Sequence, residues 1–326
     1  MHVPNHLTSP ESAIIGGVVA AVLIGVAIAK TRKSSAAKRR LPLAGVLGAF
    51  VFAAQMLNIP IADIGCSGHL VGGVLLASML GPWLGFLTLS GVLAIQALLF
   101  ADGGIMALGW NIVNMAAIGA LVAYPLIFAP IAKRGTSPAR SFVAALTTSF
   151  VAVVLGSVGV VAEVSASGSS LLPAAKFASF MLPAHLAIGL LEGVVSGTII
   201  ALVAKREPAL LESNNLRGKS LRLNQRRVLV GFASASLLIG GLLTFFSSER
   251  PDGLEWSIEK TLTEEPLTYT SEVQQSADSL QQSIAIAPDY EGNYTGLLAT
   301  AGMLLFAWIT SPMERRKEST ARTRKE

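Results

Sequence analysis

Long stretches without a charged side chain alternate with short polar segments along the chain, and this pattern predicts membrane-spanning helices. About 20 apolar residues in a helix cross a hydrocarbon core of roughly 30 Å. A further span is predicted over residues 175–204, which contain Lys176 at one end and Glu192 inside. The uncharged runs cover residues 12–29, 41–62, 64–101, 103–132, 141–162, 228–248 and 292–313.

The run over residues 64–101 is too long for a single crossing. As one helix it would reach about 57 Å. Gly81-Pro82-Trp83 lies near its middle, where these residue types favour a turn. We therefore interpret the run as two spans, which brings the predicted total to nine helices in an all-α, multi-pass protein of the cell membrane.

Basic residues indicate which connections face the cytoplasm. Of the 25 Lys and Arg residues, 22 fall in residues 30–40, 133–140, 205–227 and 315–326. If the amino terminus starts outside and nine helices follow, all four segments and the carboxyl terminus lie in the cytoplasm, as the positive-inside rule requires. The net charge of +5 therefore reflects topology, and we do not expect nucleic-acid binding.

The pattern divides the chain into two membrane units. Residues 1–206 form a seven-helix unit and residues 228–313 a two-helix unit, joined by a basic cytoplasmic linker over residues 207–227. Residues 249–291, which carry ten acidic side chains, lie outside, and we expect a partly ordered loop or a helical hairpin resting on the other spans. A basic cytoplasmic tail follows over residues 314–326.

The composition agrees with lipid as the main solvent. Hydrophobic residues make up 52% of the chain and charged residues only 14%, whereas about 25% charged residues is usual in soluble domains. The single cysteine, Cys66, excludes a disulfide framework within the chain and a multi-cysteine zinc site. The opening MHVPNH lacks the basic start of a signal peptide, so we expect Met1 to be retained.

His2 lies where it can form a chelate with the first nitrogen of the chain. A free amino terminus, the amide nitrogen of residue 2 and the imidazole of residue 2 place three nitrogens in a plane around one metal. Such a set suits Ni(II) or Cu(II), whereas Zn(II) prefers a tetrahedron. Binding displaces protons, and it is therefore predicted to weaken at low pH.

His69 is the candidate for a fourth nitrogen. It lies in GCSGHLVGG, residues 65–73, at the outer end of the connection between the second and third spans. The glycines around it allow the backbone to approach an incoming chain end closely. The spacing alone leaves a second interpretation open, a glycine-rich membrane turn with a solvated histidine.

Several strings together resemble a known family. They are MHVP at the start, SGHLVGG at 67–73, LGPW at 80–83 and QALLFADGGIMALGWNIVNM at 96–115. These strings resemble the NikM/CbiM family, the substrate-binding component of energy-coupling-factor nickel/cobalt transporters. PDGLE at 251–255 and APDY at 287–290 resemble the PDGLE domain of the small NikN-type partner, so the chain looks like a NikM–NikN fusion.

The resemblance implies a metal site and a set of partners. The amino terminus is expected to fold inward from outside, with the ion held by the Met1 amine, the amide and imidazole of His2, and His69. The implied partners are a transmembrane coupling protein and two cytoplasmic ATPase subunits. The opening favours Ni(II) over Co(II) as the transported ion, while Asn5-His6 replaces the common Asp-Gly and makes His6 a candidate extra ligand.

The chain itself is not expected to be an enzyme. GKS at 218–220 lacks the earlier glycine of a phosphate loop, and neither HExxH nor GxSxG occurs. ATP hydrolysis is therefore expected on separate subunits.

Other polar residues are candidates for orienting the ligands, because a ligating imidazole normally needs a hydrogen-bond partner on its other nitrogen. Each of them alone is more often a helix cap or a loop residue. His185 and Glu192 lie on one helical face, and a hydrogen bond between them that fixes helix packing explains them as well as a functional site does. The candidates for orienting the ligands are Ser67, Asp102, Asn111 and Asn114.

Small residues recur at four-residue spacing in two of the predicted spans, which permits close helix contact. Internal packing is the default interpretation. In the resembled family such surfaces meet the coupling protein, so the first span is our candidate for that contact. The two sets are Gly17, Ala21, Gly25 and Ala29, and Gly189, Gly193 and Gly197.

Two other functions remain open from the residues alone. One is an ATP-independent secondary metal transporter or channel that uses Asp102, Glu163 and Glu192 as a cation path. The other is an intramembrane metalloenzyme built on His185 and Glu192. Neither function uses the amino-terminal chelate.

Overall fold

The fold is all-α, in agreement with the sequence pattern. A computed structural model describes residues 1–61, 64–135, 137–168, 172–212, 225–262, 271–290 and 295–310. Within these ranges, two short strands, β1 (Ile59–Pro60) and β2 (Ser67–Gly68), pair antiparallel. The remaining elements are helices joined by turns.

The described residues of the first unit contain eight helices besides the short 3-10 turn Asn5–Leu7, and five of the eight are long and apolar enough to cross a membrane. Those five are α1, α5, α6, α7 and α8, and α3 is a shorter apolar helix. The bounds are α1 (Pro10–Lys33), α2 (Ser35–Arg39), α3 (Leu41–Gln55), α4 (Gly73–Leu80), α5 (Pro82–Phe100), α6 (Leu108–Lys133), α7 (Pro138–Ala166) and α8 (Ala174–Arg206).

The second unit contributes four described helices. Two of them, α10 and α11, form the polar excursion and begin with capping boxes, Asp252 with Glu255 and Ser271 with Gln274. The described part of residues 249–291 therefore contains helices, as one of the two expectations for this segment had it; residues 263–270, between the two helices, and residue 291 lie outside the described residues. The bounds are α9 (Gln225–Gly241), α10 (Gly253–Thr261), α11 (Glu272–Ile284) and α12 (Thr295–Thr310).

The predicted break in the run over residues 64–101 is confirmed, but the first of its two predicted spans is short. Gly81 has φ +86° and Pro82 begins α5. Helix α4 has eight residues, which cover only about 12 Å. Gly72 has φ +85°, and a Cβ there would lie 2.6 Å from Val51 Cγ1. The glycine-rich residues before α4 are therefore not helical, although residues 66–81 are buried throughout.

Small residues on α8 allow it to pack closely against α7. A Cβ added at Gly193 would lie 2.7 Å from the Leu146 carbonyl oxygen, and one at Gly197 would lie 3.0 Å from the Phe142 ring. The small-residue face of α1 is different, because a Cβ at Gly17 or Gly25 would meet nothing within 4 Å. That face of α1 is therefore exposed, whereas the α8 face is an internal contact.

The second unit packs on the first through both its apolar and its polar helices. The rings of Phe50 in α3 and Phe232 in α9 meet edge to face with centroids 5.2 Å apart. In the polar excursion, the ring of Trp256 in α10 meets the ring of Phe180 in α8, with centroids 5.8 Å apart. Helix α11 lies against α5, because Gln281 Nε2 donates to the Ala97 carbonyl over 2.8 Å. Helices α10 and α11 thus cover the end of the bundle where the amino terminus lies.

Candidate metal site

The first residues of the chain are buried in the fold. Met1 is 5% exposed and Val3 is fully buried. The Val3 amide donates to Asn111 Oδ1 over 2.9 Å, and Asn111 Nδ2 donates back to the Val3 carbonyl over 3.2 Å. A Cβ at Gly104 would clash with the main chain of Asn5. Gly104 and Asn111 therefore fix the path of the amino-terminal segment on both sides of Val3.

Asp102 holds the imidazole of His2. His2 Nδ1 lies 2.6 Å from Asp102 Oδ1, and the Tyr290 hydroxyl donates to Asp102 Oδ2 over 2.8 Å. Burial disfavours the charge of Asp102, but His2 and the bonds from His2 and Tyr290 outweigh it and lower the pKa of this carboxyl. Among the described residues, His2 Nε2 is buried without a hydrogen-bond partner.

His69 lies beside His2. The two rings stack with centroids 5.4 Å apart and planes at 19°. His69 Nδ1 lies 3.0 Å from the Leu70 carbonyl oxygen. Burial, followed by the charges of the amino terminus and His2, lowers the pKa of His69 to about 4. The imidazole is therefore neutral at neutral pH, which is the form that binds a metal.

The amino-terminal nitrogen is paired with an acidic residue of the second unit. It lies 2.9 Å from Asp252 Oδ2. Burial opposes the charge of Asp252, but the amino terminus and His69 outweigh burial and lower its pKa. Sequence reasoning counted Asp252 only as one of ten external acids, because no local pattern connects residues 251 positions apart.

The cavity at this point brings together main-chain and side-chain donors. It is lined by Met1, His69, His185 and Asp252, together with Gly68, Val71, Ile188 and Gly253. No group of three His, Cys, Asp or Glu side chains suited to a metal occurs among the described residues. An ion bound here therefore needs main-chain nitrogen in addition to imidazole.

To chelate an ion together with its own amide nitrogen, His2 would have to turn its ring. The six-membered chelate ring that includes the His2 amide nitrogen closes through Nδ1, and in this structure Nδ1 faces Asp102. A half-turn about the Cβ–Cγ bond exchanges the two edges of the imidazole. Nδ1 is then released from the carboxylate for the ion, and Nε2 lies on the side of Asp102.

The other candidates for orienting the ligands have different partners. Ser67 Oγ donates to the Arg250 carbonyl over 2.8 Å, and Asn114 Nδ2 donates to Glu163 Oε2 over 2.7 Å. Neither contact involves a histidine ring. Of the four candidates, only Asp102 bonds a predicted ligand ring, while Asn111 holds the residue after His2.

His6 lies beside helix α11. Burial lowers its pKa, and the nearby charge of Asp278 in α11 partly offsets this effect. Its carbonyl oxygen lies 3.4 Å from Gln274 Nε2 of the same helix. The interactions described for His6 are therefore with residues of α11.

One of the two interpretations of His185 and Glu192, a hydrogen bond between them, is wrong. His185 Nδ1 lies 2.8 Å from the Met181 carbonyl oxygen. Glu192 instead accepts from the main-chain amides of Val71 over 2.7 Å and Gly72 over 3.1 Å. Seven residues correspond to about 10 Å along a helix, which is beyond hydrogen-bond reach. Glu192 therefore holds the segment that carries His69.

The three carboxylates of the alternative cation path have separate partners. Asp102 bonds His2 and Tyr290, and Glu192 bonds main-chain amides. Glu163 accepts from Asn114. These bonds hold the His2 ring, the segment before α4, and α7 against α6, respectively.

Known proteins similar to the chain are metal transporters. It is 32% identical to a protein of Archaeoglobus fulgidus named for fused nickel transport, NikMN, over 74% of this chain and 79% of that protein. It is 29% identical to the cobalt transport protein CbiM of Sorangium cellulosum over 52% of this chain and 76% of that protein. A crystal structure of a transition metal transporter matches with TM-score 0.55 and 29% identity, over 67% of this chain and 97% of the other.

Two family models together match most of the sequence. Residues 2–210 match the cobalt uptake substrate-specific transmembrane region, CbiM. Residues 226–309 match the PDGLE domain. With its apolar helices, the chain is a multi-pass protein of the cell membrane. It belongs to the CbiM family of metal-uptake membrane components, as a NikM/CbiM-type unit fused to a NikN-type PDGLE domain.

Proposed function

We propose that this chain captures Ni(II), with Co(II) as the alternative ion, for an ATP-driven uptake transporter. The ion is bound by the Met1 amine, the amide and imidazole nitrogens of His2, and the imidazole of His69. The observation that carries the proposal is the burial of the amino terminus and both rings at one place, with the rings 5.4 Å apart. The nickel and cobalt names of the relatives support the choice of ion.

The charges around the donors suit a divalent ion. A deprotonated amide and a divalent ion together leave one positive charge. Asp102 and Asp252 provide negative charge beside the donors. His69 is neutral and contributes its nitrogen without releasing a proton. A planar set of four nitrogens favours Ni(II) over Zn(II).

Energy and translocation come from partner subunits in this proposal. The partners are a transmembrane coupling protein and two cytoplasmic ATPase subunits. The exposed face of α1 is the candidate contact with the coupling protein, since Ile14, Val18 and Val22 are 67%, 59% and 60% exposed there. Small residues on the same face allow another helix to approach closely.

Nickel calorimetry on the purified protein tests the ligand set. His2→Ala and His69→Ala are each expected to abolish high-affinity binding, because each removes a donor. One extra residue before Met1 is expected to be equally damaging, because it moves the amine out of the chelate. Glu259→Gln, which changes an exposed side chain of α10 away from the donors, is the control and should bind as the wild type does. Wild-type affinity in His69→Ala would refute the site.

Uptake assays separate the proposal from the ATP-independent transporter. Nickel uptake in cells that express this chain should require the ATPase subunits. Uptake that persists at the same rate without them would favour a secondary transporter or a channel.

A further inference from the structure

The PDGLE segment, residues 251–255, places a carboxylate on the amino terminus and fixes it from two sides. Asp252 Oδ2 lies 2.9 Å from the Met1 nitrogen. Asp252 Oδ1 accepts from the main-chain amides of Leu254 over 2.7 Å and Glu255 over 2.9 Å at the start of α10. The helix start holds one oxygen, and the other oxygen is directed at the first nitrogen of the chain.

The same segment is attached to the strand that leads to His69. The Ser67 amide donates to the Pro251 carbonyl over 2.8 Å, and Ser67 forms a parallel bridge with Asp252. The Ser67 hydroxyl adds a bond to the Arg250 carbonyl. The position of Asp252 is therefore set relative to His69, which lies two residues after Ser67.

Gly253 closes the segment onto α8. A Cβ there would clash with Ile188 Cδ1 and would lie 2.9 Å from His185 Cε1. The next residue, Leu254, is 1% exposed. A side chain at this position would have to displace Ile188 and His185, so glycine lets the segment lie close to the cavity that Met1 and His69 line.

From this arrangement we infer that the PDGLE segment forms the outer wall of the ion site and that Asp252 is its positioning residue. Asp252 holds the chain's first nitrogen at the point where it ligates the ion. The inference rests on the proposed function, because it assumes that this nitrogen is a ligand. It gives the fused second unit a direct part in ion binding.

The pairing is compatible with both the empty and the loaded site. A coordinated amine keeps two N–H groups, so it can still donate to Asp252. Asp252 therefore keeps the amine in place before, during and after loading, which reduces the ordering cost of binding.

Asp252→Asn tests the inference, with Glu259→Gln as the control. Asparagine is as good a helix cap as aspartate, so the variant removes the charge beside the amine and keeps the start of α10. Glu259 is an exposed acid of the same helix. We expect Asp252→Asn to bind nickel about 10- to 100-fold more weakly, as is usual when a partner of a metal ligand is lost. Glu259→Gln should match the wild type.

A second readout needs no nickel. The rate at which an amine-selective acylating reagent labels the Met1 nitrogen, followed by mass spectrometry, should rise in Asp252→Asn and stay unchanged in Glu259→Gln. Loss of a helix cap alone would not expose this amine. Gly253→Ala, which pushes the segment outward while keeping the charge, should raise labelling and weaken nickel binding as well.

The outcomes distinguish this inference from the proposed function. Wild-type nickel affinity or a wild-type labelling rate in a folded Asp252→Asn protein would overturn the inference. If that variant does not fold, unchanged labelling and affinity in Gly253→Ala would overturn it. Wild-type nickel affinity in His69→Ala would instead overturn the ligand set, whatever the labelling shows.

Discussion

At the scale of single residues, the sequence predicted which histidines lie together at the amino terminus better than it predicted their partners. His2 and His69 were singled out from residue type and position, and the structure stacks their rings. Asp252 and Glu192 were assigned no such role, because they act across 251 and about 120 positions of the chain. Contacts over that separation depend on helix packing, which a single sequence does not show.

The lowered pKa of His69 predicts how stability changes with pH. The folded protein holds this pKa at about 4, below its ordinary value of 6.5, because burial and neighbouring positive charge disfavour the imidazolium. Above the ordinary value His69 is neutral in both the folded and the unfolded chain, so it adds no pH dependence there. As the pH falls from 6.5 to about 4, only the unfolded chain takes up this proton, and the free energy of unfolding decreases.

Thermal denaturation of the detergent-solubilised protein without nickel measures this effect. The wild type should lose stability across that pH window. His69→Gln should lose less, since it has no proton to take up. Parallel pH profiles for the two proteins would contradict the assignment of the effect to His69.

At the scale of elements, charge-free runs predicted helices wherever the chain follows one regular conformation. The turn at Gly81-Pro82 was also predictable, because both residue types act locally. The short length of α4 was not, because GCSGHLVGG is as apolar as a helix and equally buried. The backbone of GCSGHLVGG is not helical before Gly73, and the Glu192 carboxylate accepts hydrogen bonds from two of its main-chain amides.

Glu192→Gln is predicted to loosen the segment that carries His69. Glutamine has one acceptor oxygen where glutamate has two, so one of the amides of Val71 and Gly72 loses its partner. A buried unpaired amide costs about 1 to 3 kcal/mol. We expect a lower melting temperature and weaker nickel binding.

Glu163→Gln is the control for this change. Glu163 is another buried acid, and its partner is the side-chain amide of Asn114, which can rotate to offer its oxygen to glutamine. A wild-type melting temperature and wild-type nickel affinity in Glu192→Gln would contradict the role of Glu192.

At the scale of the whole molecule, segments that were predicted on the same side of the membrane lie close together. The amino terminus contacts the PDGLE segment at one end of the bundle. Near the other end of the helices, Arg40 pairs with Glu212, which lies in the linker. The grouping agrees with the predicted topology, while the count of nine spans and the outward orientation of the amino terminus remain predictions. Because the two units are fused, the polar excursion of the second unit contacts the amino terminus of the first. The sequence pattern of neither unit predicts this contact.

The X-ray absorption spectrum of nickel bound to the full-length protein tests the central claim most directly. The account predicts a planar site of four nitrogen donors in the wild type, and loss of that spectrum both in His69→Ala and in a protein extended by one residue before Met1. A nickel site of six oxygen or mixed donors, or an unchanged spectrum in the extended protein, would contradict it.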